Sequence, residues 1–284
     1  MSPKKRRAKP DRKKSHGILI LLLIGAGIFL FTGEFGREDV PDSFFNRIKP
    51  EEKPHTDRPG TIPPEALPKI AIIIDDLGPS RDLAEQVMDL NGPVTLSILP
   101  QQRYSRWIAQ EGAQRGRDMI VHLPMEASRP LKLGEGGLYL VMEDKEIMQT
   151  VRENILSVPH ITGASNHMGS AFTEDKRAME AVIAEIRKHG LFFLDSLTTP
   201  ESVGYDLAKA RGLKAYRRDI FLDDADNPEE IKIQWDRLLR IAKKRGHAIA
   251  LGHPKKNTLD LLRKALSDTT QFTVVPISAL IPAK

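Results

Sequence analysis

No cysteine occurs among the 284 residues. Disulfides and thiolate metal ligands are therefore excluded, and any transition metal must be held by His, Asp or Glu. The absence also fits an oxidising compartment, where stray thiols would mispair. No G-x-G-x-x-G follows the first strand-like run and no G-K-[ST] loop is present, so dinucleotide and P-loop readings lose their main signatures. The body of the chain lacks positive charge as well. The formal net charge is +5, but residues 1–16 hold eight Lys or Arg against Asp11 alone, a tail at +7 that leaves the other 268 residues at −2. A nucleic-acid-binding domain carries its charge on the fold, so no nucleic-acid partner is expected.

An apolar run of full membrane-spanning length is also missing. Ile18 to Phe31 (ILILLLIGAGIFLF) is uncharged and free of proline, with Lys and Arg crowded on its amino side only. That is the positive-inside pattern, with the tail in the cytoplasm and the rest translocated. The run is short of the roughly 20 residues that span a bilayer, and its length equally suits a signal-peptide core. No A-x-A cleavage site follows it, so an uncleaved signal-anchor over 18–33, with its interfacial residues counted, is preferred to a cleaved signal. The chain then reads as a basic cytoplasmic tail (1–17), a transmembrane segment (18–33), a linker rich in proline and charge (34–68) and a domain (69–284). This places a single-pass protein in the inner (cytoplasmic) membrane, its C-terminal domain in the periplasm or outside.

The domain opens on Ile70–Ile74, all apolar and mostly β-branched, the mark of a strand buried on both faces. Strand-like runs at 70–75, 94–99, 118–123, 161–166, 191–195, 213–216, 247–251 and 272–275 alternate with helical patterns. Ser80 is the expected N-cap of the first helix, Thr173 opens another, and Gly246 ends a long helix over 228–245. Seven or eight βα units imply a parallel sheet with helical crossovers. A (β/α) barrel is preferred to an open doubly wound sheet, because polar residues cluster after many strands and not at a single switch point.

Those strand-end residues are Asp75 and Asp76, then His122 and Glu126 (VHLPME), Asn166 and His167 (SNHMGS), Asp195 and Ser196 (FFLDS), and His253 (ALGHP). Two adjacent carboxylates repel unless something positive holds them. One acid could simply cap the next helix while the other is solvated. A histidine alone is more often a capping or satisfied core residue than a ligand. Together, histidines and carboxylates at one end of one sheet form the donor set of a metal site.

The combination IIDDLG, VHLPME, NHMGS, FLDS and LGHP resembles the divergent polysaccharide deacetylase family, a remote branch of the metal-dependent carbohydrate de-N-acetylases, over about residues 68–280. The resemblance implies an irregular (β/α)7–8 barrel of the polysaccharide deacetylase type. It implies Asp75 as catalytic base, Asp76 and His122 as metal ligands and His253 as catalytic acid, with Asp195 orienting that histidine. The family's second metal histidine is replaced by Glu126. His167 is the expected substitute, giving Asp76, His122 and His167, with Glu126 in reserve. Glu126, Asn166 and Ser196 are expected at the substrate. The family's substrate-binding arginine has no clean counterpart, Arg129 and Arg218 being the nearest candidates.

A divalent ion, zinc by ligand type, with three protein ligands would leave room for water and a substrate carbonyl. The expected activity is removal of N-acetyl groups from a cell-envelope carbohydrate. A non-catalytic glycan-binding protein is the alternative, favoured by Glu126 and the missing arginine. A metal-dependent phosphoesterase would prefer a basic mouth. Trp107 and Trp235 sit at helical positions and are read as packing residues.

Overall fold

The computed structural model describes residues 67–280. The expectations for residues 1–66 (basic tail, anchor and nearly all of the linker) lie outside that range, and no helix among the described residues is long and apolar enough to cross a membrane.

Among the described residues nine strands alternate with seven helices: β1 (Lys69–Leu77), α1 (Arg81–Met88), β2 (Thr95–Ile98), α2 (Ser105–Gln114), β3 (Met119–Met125), α3 (Asp144–Ser157), β4 (Gly163–Met168), α4 (Lys176–Lys188), β5 (Phe192–Asp195), α5 (Gly204–Ala210), β6 (Ala215–Arg217), β7 (Ile220–Phe221), α6 (Pro228–Arg245), β8 (His247–Gly252), α7 (Lys256–Ala265) and β9 (Thr273–Val274). All the named strand pairs are parallel, in the order β6-β5-β4-β3-β2-β1-β8-β7, with β9 against β1. The sheet is curled in the manner of a (β/α) barrel. Its two end strands, β6 and β7, are consecutive in the chain. Between them the Arg218 N–H donates to the carbonyl of Asp195 on β5, and the Asp219 N–H to that of Ile249 on β8. One short segment thus passes from one edge of the ladder to the other. β7, only two residues long, has no periodicity to announce it.

Strand β1 shows why the run is apolar throughout. Ile70, Ile72 and Ile74 join the large outer cluster that includes the buried faces of the helices, whereas Ala71 and Ile73 join a separate inner cluster with Ile120, Leu194, Ile249 and Leu251. The helix signals are local. Ser80 accepts from the Leu83 N–H at the start of α1, as expected. Asn227 caps α6 ahead of Pro228, and Gly246 closes that helix in the left-handed conformation (φ 81°) that glycine tolerates.

Thr173 does not cap α4. Its hydroxyl donates to the carbonyl of Gly169, and Asp175 caps the helix by accepting from the Ala178 N–H. Trp235 is a packing residue, set edge-on to Phe272.

The interior is closed at the amino ends of the strands. Ile277 and Leu280 are buried in the inner cluster. Their segment is tied to the start of four strands: the Ile277 N–H donates to Thr95, the Ser278 N–H to Asp118, the Val275 N–H to the carbonyl of Ile70, and the Tyr216 hydroxyl to the carbonyl of Leu280.

Candidate active site

The opposite end, above the carboxyl ends of the strands, is polar. Asp75 continues the inward set of Ala71 and Ile73 and is 1% exposed. Successive residues on a strand point to opposite faces, so Asp76 should turn away. It does not, because its backbone is left-handed (φ 60°) and the β1–β2 register slips between Ile74 and Leu77. That turn brings Asp76 Oδ1 to 3.4 Å from His122 Nε2 and 2.8 Å from His167 Nδ1.

Strands β3 and β4 supply the histidines side by side. In their ladder His122 pairs with Ser165 and Pro124 with His167, so Ser165 and His167 share one face with His122. The two imidazoles meet edge to face, with ring centroids 5.1 Å apart.

The donor atoms of Asp76, His122 and His167 all lie within 4.8 Å of one another. Asp76 Oδ1 is buried and makes no well-directed hydrogen bond despite the short distance to His167. Converging donor atoms with poor mutual hydrogen-bond geometry are what ligands aimed at a shared cation look like. One carboxylate and two imidazoles are also a donor set suited to zinc, so these residues fit a divalent metal. His167 thus joins the cluster in place of Glu126. The Glu126 carboxylate accepts from the Leu140 N–H and fastens the β3–α3 loop.

His253 follows β8 directly, with Nε2 3.7 Å from Asp76 Oδ2. Its partner is Asp223, not Asp195. Asp223 is fully buried, accepts from His253 at both the ring Nδ1 (2.8 Å) and the backbone N–H (2.7 Å), and accepts from the Thr258 hydroxyl (2.6 Å). The expected role of Asp195 is therefore corrected. Its carboxylate accepts from the backbone N–H groups of Leu197 and Tyr205 and from the Ser202 hydroxyl, which pins the loop into α5. Asp223 was not singled out from the sequence. The only signal was its place just beyond β7, a strand too short to see.

Asn166 is likewise committed to the backbone. Its amide accepts from the Ser196 N–H and donates to the carbonyl of Met168, and the residue is fully buried. Ser196 is 1% exposed, with a hydroxyl that has no partner. Arg129 is exposed. Arg218 is half-buried, donates to the carbonyls of Ser196 and Leu197 and lies 3.9 Å over the Phe221 ring, which stacks on His253.

The protonation preferences follow from these contacts. Burial lifts the Asp75 carboxyl above the usual carboxylate range, although His122, the Ser97 hydroxyl and His253 pull the other way. Burial would also raise Asp76, but the close imidazoles of His122 and His167 hold it well below that range. Burial would depress His253, yet Asp223, with Asp75 and Asp76 nearby, raises it above an ordinary histidine.

The sequence matches the divergent polysaccharide deacetylase family over residues 72–281. The chain belongs to that family. It is 35% identical over 201 residues to an uncharacterised protein of Haemophilus influenzae, covering 71% of this chain and 72% of that one. It is 31% identical over 214 residues to the uncharacterised protein YibQ of Escherichia coli, covering 75% and 67%. Among solved structures, an uncharacterised protein from Agrobacterium tumefaciens, ATU2773, superposes with a TM-score of 0.72 at 24% identity, covering 76% of this chain and 89% of that one. That likeness speaks for the fold. The curled parallel sheet described above is consistent with a deacetylase-type (β/α) barrel.

Proposed function

We propose that this divergent deacetylase is a metal-dependent hydrolase that removes N-acetyl groups from a cell-envelope carbohydrate, with Asp76, His122 and His167 holding a divalent cation, zinc by ligand type. When bound, such a cation polarises a carbonyl and lowers the pKa of water toward about 7. The Asp75 carboxylate, fully buried with Oδ1 unpartnered, accepts the proton of the attacking water. His253 Nε2 delivers a proton to the departing amine nitrogen as the C–N bond breaks, while Asp223 holds the ring through Nδ1. The products are acetate and the free amine.

The observation that carries this reading is one geometry. A free buried carboxylate oxygen and a carboxylate-backed imidazole flank the same three-donor cluster. The non-catalytic alternative drew on Glu126 and a missing arginine. His167 as third donor weakens the first support, whereas Arg218, donating to the carbonyls of Ser196 and Leu197, leaves the second in place.

The test is acetate release from N-acetylated glycans by the purified full-length protein, with and without zinc. Acetate released with zinc and lost after chelation is the expected result. Zinc bound without any acetate released would favour a glycan-binding protein instead. Attachment to the cytoplasmic membrane through residues 18–33 belongs to the same proposal. A reporter fused after Gly36 is expected to be active only outside the cytoplasm, and cytoplasmic activity would remove the anchor.

A further inference from the structure

Two buried serines lie between the candidate base and the candidate ligand His122. Ser97 on β2 and Ser165 on β4 are both fully buried. Ser165 Oγ is 2.8 Å from His122 Nδ1 and 3.3 Å from Ser97 Oγ. Burial raises the Asp75 carboxyl and the nearby Ser97 hydroxyl acts against it, while His122 Nδ1 itself lies 3.8 Å from Asp75 Oδ1. If they only filled space, alanine would serve as well without the cost of burying a hydroxyl, and here the two hydroxyls partner each other and Ser165 partners His122 as well.

The direction of the bonds follows from what each group can give. An ionised carboxylate only accepts, and a hydroxyl has one proton to donate. The nearby Asp75 carboxylate draws the Ser97 proton its way, so Ser165 donates to Ser97, and the oxygen of Ser165 is left to accept from Nδ1–H of His122. We infer that Ser97 and Ser165 are positioning residues, a one-way hydrogen-bond relay that fixes His122 in the tautomer with its proton on Nδ1 and its lone pair on Nε2. That lone pair faces Asp76 and His167. Without the relay the imidazole can place its proton on Nε2, only 3.4 Å from Asp76 Oδ1, where it blocks a cation. The inference rests on the metal site proposed above, and it ties that site to the base through side chains on four adjacent strands, β1 to β4.

The test is competition for zinc against a chromophoric chelator, using full-length wild type, Ser165→Ala, Ser97→Ala and the double variant, with His167→Ala as control. Ser165→Ala is expected to weaken zinc binding about 10–100-fold, the usual cost of removing a partner behind a ligating histidine. Ser97→Ala should cost less, and nothing further in the Ser165→Ala background, because Ser97 reaches His122 only through Ser165. In ¹⁵N-resolved spectra the Nδ1–H proton of His122, shielded from exchange in the wild type, should move upfield and exchange faster in Ser165→Ala. Wild-type zinc affinity in both serine variants, or losses that add in the double variant, overturns the relay while leaving the site intact if His167→Ala loses zinc. Wild-type affinity in His167→Ala as well overturns the metal site and the relay with it. Should Ser165→Ala fail to fold, Ser97→Ala and the His122 resonance of the wild type decide the matter.

Discussion

At the carboxyl ends of the strands stand Asp75, Asp76, His122, His167 and His253, with one carboxylate oxygen buried and unpartnered on each of the two acids. At the amino ends, Ile277 and Leu280 fill the interior, and their segment is hydrogen-bonded to Thr95, Asp118 and Tyr216. The same curled sheet is thus left unsatisfied at its mouth and sealed at its floor. Backbone strain follows the same division. Of the five non-glycine residues with left-handed φ among the described residues, four (Asp76, Gln101, Met168 and Leu197) lie at or just beyond the carboxyl ends of β1, β2, β4 and β5. Each costs on the order of 1 kcal/mol, and the well-packed remainder of the barrel can hold them there. Stability is gathered at one end so that unpaired charge can persist at the other.

Substitutions at the two ends should therefore have opposite signatures. The largest effect is expected from Asp75→Asn, which removes the proposed base with little change of shape. Acetate release should fall about 10²–10⁴-fold. The free energy of unfolding should stay level or rise, because a buried carboxylate with an unpartnered oxygen is gone. A matching loss of stability in urea unfolding would break the division between mouth and floor.

Ile277→Ala is the converse. It should lower stability by about 2–5 kcal/mol through the cavity it leaves, while zinc affinity of the folded protein is unchanged. Weaker zinc binding would show that the floor tunes the mouth.

The smallest effect separates the two groups at the mouth itself. The rate should rise with pH as Asp75 loses its proton and fall as His253 loses its own. Burial raises Asp75, and Asp223 raises His253 against the effect of burial, so both limbs should lie above the values of the free side chains. Asp223→Asn removes the charge that favours the imidazolium, so the alkaline limb of the rate profile should move to lower pH. An alkaline limb that stays in place would assign it to another group.

Much of this molecule is legible in short stretches of sequence. The doubly buried strand Ile70–Ile74, the alternation of strands and helices, Ser80 and Gly246 at helix ends, and the placing of Asp76, His122, His167 and His253 at strand ends all follow from local hydrophobicity and spacing. They do so because strand burial and helix capping are set by neighbours a few residues away.

What the tertiary structure decided lies where partners are distant or a backbone angle reverses a side chain. Asp223 meets His253 across 30 residues because β7 and β8 pair, and Asp195, with the better position in the sequence, is held by its own loop. Ser165 stands behind His122 through the β3–β4 register. Asp76 reaches the cluster only because its φ is 60°, against the alternation that would point it away from Asp75. Composition and periodicity report which face of an element is buried. They do not report the register between strands or the sign of one dihedral, and those two quantities make the site.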